Sequence, residues 1–155
     1  GNIDTRIEKL KDGLYDAIIL ACAGLKSLKL DDKITQFFST SEIVPCAGQG
    51  IIALQCRNDD EETKSMLKKV NHIDTYQIAQ AERSVLKILD GDCETAVGVH
   101  ATINKYKLIL EAELFSLDGS KRFYEKKTTS LENAKKIGEE VGKKLKEKSN
   151  NTHKK

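Results

Sequence analysis

Hydrophobic and polar positions follow two different patterns along this chain, and the change falls near residue 71. Before it, short apolar runs at 15–21 and 51–56 are typical of buried strands, and helices are predicted over 4–11 and from 59 to about 70. After it, the pattern predicts a helix, three antiparallel strands and a second helix. That order of elements is typical of a small, self-contained α+β domain.

The first part of the chain predicts only a piece of a parallel α/β layer. The run at 15–21 is followed by a helical turn at 23–28, and a strand followed by a helix is the repeating unit of such layers. One unit cannot form a sheet by itself. We therefore interpret residues 1–50 as a partial α/β domain and expect the chain, which starts without Met, to be cut from a longer one.

The helices of the α+β domain are predicted from apolar residues that recur every three or four positions. Asp74 followed by Gln77 is expected to form a capping box, and Ser130 is expected to cap the last helix. The apolar faces comprise Ile78, Ala81, Val85, Ile88 and Leu89 in the first helix and Ala134, Ile137, Val141 and Leu145 in the last.

The strands are predicted from alternation and from turn signals. Asp118-Gly119 is a strong hairpin signal and Asn104-Lys105 a weaker one. Alternation in the middle strand predicts one buried face and one largely wet face. The buried face comprises Leu108, Leu110, Ala112 and Leu114, and the wet face Ile109, Glu111 and Glu113.

Composition sets the class of protein. The 155 residues carry 26 Lys plus Arg against 24 Asp plus Glu, and no apolar run approaches the roughly 18 residues of a membrane span. These features exclude a membrane protein, a collagen, a disordered tail and a secreted miniprotein. Residues 143–155 hold six Lys and one Glu. We interpret them as a solvated helix end that frays through 149–152, with nucleic-acid binding as the weaker alternative.

Cysteine and histidine spacings predict no metal site. The four cysteines form no CxxC pair, and Cys22 and Cys56 lie in apolar segments where a reduced Cys acts as a small buried hydrophobe. This usage favours a reducing, intracellular compartment. The histidines lack ligand spacing, so each is interpreted as an ordinary loop or surface residue: His72, His100 and His153.

Two loops could carry chemistry. Gly48-Gln49-Gly50 is usually no more than a tight turn, but its glycines could also let backbone N–H groups approach an anion. Cys93 lies between Asp92 and Glu94, whose carboxylates should raise the pKa of its thiol. That argues against a cycling thiolate nucleophile and is compatible with a thiol that is alkylated once.

Several motifs together resemble one known family. In chain order they are Gly1-Asn2-Ile3-Asp4-Thr5-Arg6, residues 15–25, Pro45-Cys46-Ala47-Gly48-Gln49-Gly50, Ala81-Glu82-Arg83 and Leu89-Asp90-Gly91-Asp92-Cys93. With these motifs the chain resembles porphobilinogen deaminase, also called hydroxymethylbilane synthase, over the C-terminal half or so of that family's length. The resemblance implies two periplasmic-binding-protein-like α/β domains and a C-terminal α+β domain. Residues 1–50 would be the later part of domain 2, 51–70 a return to domain 1, and 71–155 the C-terminal domain.

The resemblance also implies a chemistry. The family joins four porphobilinogen units to hydroxymethylbilane with release of ammonia, in tetrapyrrole (heme) biosynthesis, on a dipyrromethane cofactor held by a thioether, here at Cys93. Acetate and propionate groups on each pyrrole require Arg and backbone donors. The cofactor contacts implied are Arg6, Asn2, Gln49 and Gly50, and the substrate contacts are Arg6, Lys26 and Arg83. Arg83 could equally form a structural ion pair with a helix neighbour.

Departures from the family pattern leave an alternative open. Ser27 replaces an arginine for which Lys26 is a possible substitute, and Asp92 and Ala96 stand where many members carry a small residue and proline. The catalytic aspartate belongs to the first domain, so this chain alone is expected to hold no catalytic residue and to be inactive. The alternative is a non-catalytic ligand-binding or interaction domain on the same scaffold. The parent is expected to be a monomer in the cytoplasm, or in a plastid, without metal, nucleic-acid or membrane partners.

Overall fold

The computed structural model describes residues 2–90 and 95–154, which divide into two units, Gly1–Ser39 and Thr40–Lys155. The described helices and strands are α1 (Ile3–Lys11), α2 (Cys22–Ser27), α3 (Glu61–Val70), α4 (Ile73–Leu89), β1 (Val97–Asn104), β2 (Lys107–Phe115), β3 (Arg122–Ser130) and α5 (Ala134–Ser149). Short 3-10 turns lie at Asp31–Lys33 and Leu131–Asn133. Among these helices, none is long and apolar enough to cross a membrane.

The first unit contains the two short helices that the sequence predicts. Helix α1 ends before Gly13, whose φ of +72° is a left-handed conformation that glycine adopts without strain. Helix α2 packs close to the start of α1, since a Cβ at Gly24 would lie 2.7 Å from the Ile3 side chain. Within α2 the buried residue is Leu25.

Two predicted strands are wrong. Residues 15–21 and 51–56 have no regular secondary structure, and neither pairs with another strand in the part of the chain that the structure describes. Ile19, Ile52 and Leu54 are 66%, 89% and 62% exposed. An apolar run favours a strand only where another strand satisfies its N–H and C=O groups and where a neighbouring layer covers its side chains. Neither condition is met here.

The three strands of the second unit form an antiparallel sheet in the order β1-β2-β3, as the sequence predicts. Asn104 pairs with Lys107, so the first hairpin has a two-residue loop in which Lys105 takes a φ of +56°. In the second hairpin Gly119 has a φ of +69°, and Asp118 accepts hydrogen bonds from the Ser116 hydroxyl and the Ser120 N–H. The Ser116 bond, followed by the bonds from the Ser120 hydroxyl and N–H, lowers the pKa of Asp118 to about 2.

Helices α4 and α5 cover one face of this sheet and form the hydrophobic core with it. The predicted buried positions of β2 are all fully buried, and the other core residues come from β1 and from the predicted faces of α4 and α5. The core comprises Ala81, Val85, Leu89, Val99, Ala101, Leu108, Leu110, Ala112, Leu114, Ala134, Ile137, Val141 and Leu145. The sequence therefore predicts the α+β core correctly.

The face of the sheet that the helices leave uncovered is polar, but one position was predicted wrongly. Glu113 was assigned to the wet face, yet it is only 7% exposed. It lies opposite Gly98, and its carboxylate accepts a hydrogen bond of 2.8 Å from Arg122 Nε. Beside it, Glu111 accepts bonds from Tyr124 and Lys126. Burial, followed by the bond to Glu111, raises the pKa of Tyr124 to about 12.

Helix starts agree with the sequence at α3 and differ at α4 and α5. Asp60 caps α3 by accepting from the Thr63 N–H at 2.9 Å. The Asp74–Gln77 capping box is wrong, because α4 begins two residues earlier and His72 Nδ1 accepts from the Thr75 N–H at 3.3 Å. Ser130 makes no side-chain capping bond to the backbone and precedes the 3-10 turn that leads into α5.

Residues after α5 fold back instead of fraying, so that prediction is wrong. Asn150 and Asn151 take positive φ values, and the Thr152 carbonyl accepts from the Leu117 N–H at 3.0 Å. His153, predicted to be a loop or surface residue, is 1% exposed, and its Nδ1 lies 2.8 Å from the Ser149 hydroxyl. Burial lowers the pKa of His153 from 6.5, and the backbone of Leu89 acts in the opposite direction.

Candidate functional site

The loop formed by residues 45–50 is shaped by two glycines. Gly48 and Gly50 have φ values of +79° and +81°, which L side chains adopt only with strain. The N–H of Gln49 donates to the Cys46 carbonyl at 3.1 Å, and the N–H of Ile51 donates to the Gly48 carbonyl at 3.0 Å. Two successive tight turns therefore give the loop a defined backbone path.

The start of this loop lies along the outer edge of β1. The Pro45 carbonyl accepts from the Val99 N–H at 2.7 Å, and Val44 is buried. Gly98 permits this close approach, because a Cβ there would lie 2.5 Å from the Val44 carbonyl oxygen. The loop thus satisfies part of a strand edge that would otherwise be open to pairing with another chain.

The middle of the loop is held by Glu82 on α4, which is 3% exposed. Its Oε2 accepts from the Gly48 N–H at 2.7 Å, and its Oε1 accepts from the Ala101 N–H at 2.8 Å. His100 Nδ1 lies 3.9 Å from the same Oε1. One carboxylate thereby joins the loop, α4 and β1. No sequence motif assigns Glu82 this role, although its place on the apolar stripe of α4 is a signal for burial.

We call the two hydrogen bonds of Glu82 the clamp. The predicted ligand contacts in this unit are exposed donors that follow Gly48 or Glu82 in sequence. Gln49, Gly50 and Arg83 are all exposed, and Arg83 directly follows Glu82 on α4. The Gln49 side-chain oxygen Oε1 accepts from the Cys46 thiol at 3.4 Å, which leaves the side-chain amide hydrogens of Gln49 as donors. Within the described residues the Gly50 N–H makes no hydrogen bond and Arg83 makes no ion pair. The structural ion pair considered for Arg83 is therefore not seen there.

The remaining predicted contacts lie in the first unit. Asn2 precedes α1, and its carbonyl accepts from the Arg6 N–H at 3.1 Å. Arg6 is exposed on α1, and Lys26 is exposed in the last turn of α2. Each unit thus presents cationic or amide donors of the kind that carboxylate ligands require.

Cys93 and its neighbours Asp92 and Glu94 lie outside the described residues. Helix α4 leads to them and ends at Leu89, and Asp90 after it has a φ of +50°. Of the other cysteines, Cys46 is exposed and Cys22 and Cys56 are half-buried, which is less burial than predicted.

Other candidate chemistry is absent or internally paired in the described part of the chain. No group of three or more His, Cys, Asp or Glu there could hold a metal ion. The lysines of the basic tail are largely engaged within the unit. Lys148 and Lys144 lie 2.5 and 3.9 Å from Glu125, and Lys154 lies 3.5 Å from Asp90. This pairing reduces the charge that the tail can offer to a nucleic acid.

Comparison with known proteins gives two family matches in chain order. Residues 1–65 match the model described as "Porphobilinogen deaminase, dipyromethane cofactor binding domain", and residues 76–147 match "Porphobilinogen deaminase, C-terminal domain". Together they define a class of protein in which a cofactor-binding domain precedes a separate C-terminal domain. The chain belongs to the porphobilinogen deaminase family.

Curated relatives agree with this assignment. The chain is 41% identical over 145 residues to a porphobilinogen deaminase of Coxiella burnetii, 38% to one of Syntrophobacter fumaroxidans and 36% to one of Desulforamulus reducens. Each alignment covers 94% of this chain and 47% of the relative. The chain therefore spans about half the length of the curated relatives that it matches.

Proposed function

We propose that this chain is the part of a hydroxymethylbilane synthase that carries the cofactor cysteine and a share of the pyrrole-binding donors. In the complete protein, four porphobilinogen units would be joined to hydroxymethylbilane with release of ammonia. The observation that carries the proposal is the loop at residues 45–50, which Glu82 and the edge of β1 hold in place. Its exposed Gln49 and Gly50 donors belong to a motif by which the chain resembles the family.

The donor set fits an anionic pyrrole ligand. A dipyrromethane carries acetate and propionate groups, and carboxylates bind best to guanidinium groups, amide hydrogens and backbone N–H groups. Arg83, Gln49 and Gly50 present these groups in the second unit. In the first unit Arg6 and Asn2 present them, and Lys26 adds an ammonium group. When bound, the dipyrromethane would supply the pyrrole end to which the first porphobilinogen is joined.

Each residue then has a proposed role. Cys93 would hold the cofactor through an uncharged thioether, so the carboxylates of Asp92 and Glu94 would not weaken the finished bond. Arg6, Asn2, Gln49 and Gly50 would contact the cofactor. Arg6, Lys26 and Arg83 would contact the carboxylates of the growing chain of pyrroles.

The remaining expectations belong to the same proposal. Residues 1–50 would complete a periplasmic-binding-protein-like α/β domain, and 51–70 would return to a domain that this chain does not contain. The aspartate that supports the cationic intermediate would lie in that domain, so the 155-residue chain alone would consume no porphobilinogen. The complete protein would act as a monomer in the cytoplasm or in a plastid.

The test is the intact mass of the complete gene product after expression with porphobilinogen available. We expect a mass gain of two linked pyrrole units that disappears in Cys93→Ser and persists in the matched control Cys56→Ser. The complete protein should consume porphobilinogen, and the 155-residue chain should not. An unmodified Cys93 in an inactive protein would instead favour a non-catalytic ligand-binding domain on the same scaffold.

A further inference from the structure

Glu82 is a buried carboxylate that holds a loop 34 residues away in sequence. Its two oxygens are used by two backbone N–H groups, those of Gly48 and Ala101. A carboxylate buried to 3% exposure needs such donors, since an unsatisfied charge is costly in the interior. The loop in turn needs Glu82, because its own turn bonds do not connect it to α4.

We propose that Glu82 is a positioning residue, one that fixes the loop at residues 45–50 so that Gln49 and Gly50 receive the carboxylates of the pyrrole ligand. The nature of that ligand rests on the function proposed above, whereas the clamp itself does not. Arg83 follows Glu82 on α4, so the helix to which the loop is bound also carries this guanidinium group.

The charge of Glu82 argues for positioning and against direct ligand contact. A free carboxylate beside an anionic ligand would repel it, but here both oxygens already accept backbone hydrogen bonds. His100, with Nδ1 at 3.9 Å, adds a polar neighbour on the side of β1. Glu82 therefore contributes its two bonds to the protein and leaves ligand recognition to the exposed donors.

To bind Gly48 and Ala101 together, residue 82 needs two acceptor oxygens and a side chain as long as that of glutamate. Substitutions can test each requirement. Glutamine keeps the size but has one acceptor oxygen, and its amide hydrogens would face an N–H donor. Aspartate keeps both acceptors but is one methylene shorter, so it cannot reach both donors from the same backbone. Each variant should keep the Ala101 or the Gly48 bond and lose the other.

The experiment uses the complete gene product as wild type, Glu82→Gln, Glu82→Asp and the exposed charge-matched control Glu147→Gln. Amide hydrogen exchange is followed at Gly48, Ala101 and the paired amides of β2 and β3, and KM and kcat are measured with porphobilinogen. In at least one of the two Glu82 variants we expect about tenfold faster exchange at Gly48, with β2–β3 protection kept. In that variant kcat/KM for porphobilinogen should fall several-fold, because Gln49 and Gly50 would position the cofactor to which the substrate is joined, and the control should match wild type.

Each other result overturns the proposal. Unchanged exchange at Gly48 in both variants would show that Glu82 does not hold the loop. Loss of protection throughout the sheet would show a general structural role in place of positioning. Faster exchange at Gly48 with unchanged kcat/KM would show that the loop does not position the cofactor. If the wild-type protein consumed no porphobilinogen, the proposed function would fail, while the exchange data would still decide whether the clamp exists.

Discussion

Two glutamates of the second unit are buried, and donors from other segments satisfy both. Glu82 accepts two backbone N–H groups, and Glu113 accepts from the Arg122 guanidinium at 2.8 Å. The sequence offered a signal only for the first. Glu82 comes four residues after Ile78 and three before Val85, so it lies on the buried stripe of α4. Glu113 lies on the predicted wet face of an alternating strand. The alternation does not indicate that Gly98, opposite Glu113, allows Val44 to approach this face closely.

Arg122→Ala should destabilise the protein, because it leaves the Glu113 carboxylate buried without its charged partner. It also removes the guanidinium from above the Tyr124 ring, 5.3 Å from its centroid. We expect the free energy of unfolding in urea to fall by about 1–3 kcal/mol. The control Lys126→Ala breaks a more exposed pair with Glu111 and should cost only about 0–1 kcal/mol. Equal losses in the two variants would contradict the argument.

At the scale of elements, α4 and α5 approach each other closely because glycines lie at their crossing. A Cβ at Gly138 would lie 2.2 Å from the Ala81 carbonyl oxygen, and one at Gly142 would lie 2.8 Å from Ile88 Cβ. Both obstacles belong to backbone or to branched side chains, which cannot swing aside. The contact matters for the site because α4 carries both Glu82 and Arg83. The sequence predicts both helices, but glycine inside α5 reveals the close crossing only after the partner helix is known.

Gly138→Ala should separate the helices despite the better helix propensity of alanine. The substitution gains about 1 kcal/mol of propensity, while the forced displacement costs about 1–3 kcal/mol or more. We therefore expect a net loss of stability in urea unfolding and faster amide exchange in α5. Lys143→Ala, on an exposed position of the same helix, is the control and should be nearly neutral. A stabilised Gly138→Ala protein would show that the crossing is looser than described.

For the molecule as a whole, the sequence predicts the structure that depends on local pattern and misses what depends on distant partners. The buried face of β2, the turn at Asp118-Gly119 and the apolar stripes of α4 and α5 depend on local pattern, and the structure confirms them. The apolar runs at 15–21 and 51–56 do not form strands. A strand needs a second strand to pair with and a layer to cover its side chains, and a local pattern supplies neither. The site divides in the same way. Its exposed donors could be named from motifs, whereas the bond from Glu82 to Gly48 spans 34 residues and no motif encodes it.

Stability should depend on pH through His153, which is buried just after α5. Burial, aided by the charges of Lys154 and Lys146, lowers its pKa in the folded protein from 6.5. The unfolded chain therefore binds the proton first as pH falls, and the free energy of unfolding decreases below about pH 6.5 until the folded imidazole is also protonated. In urea titrations between about pH 5 and 8, His153→Gln should show a flatter dependence. At about pH 8 the imidazole is neutral in both states, so the difference between the two proteins there reports packing alone. Parallel curves for the wild type and the variant would mean that another group controls the acid limb.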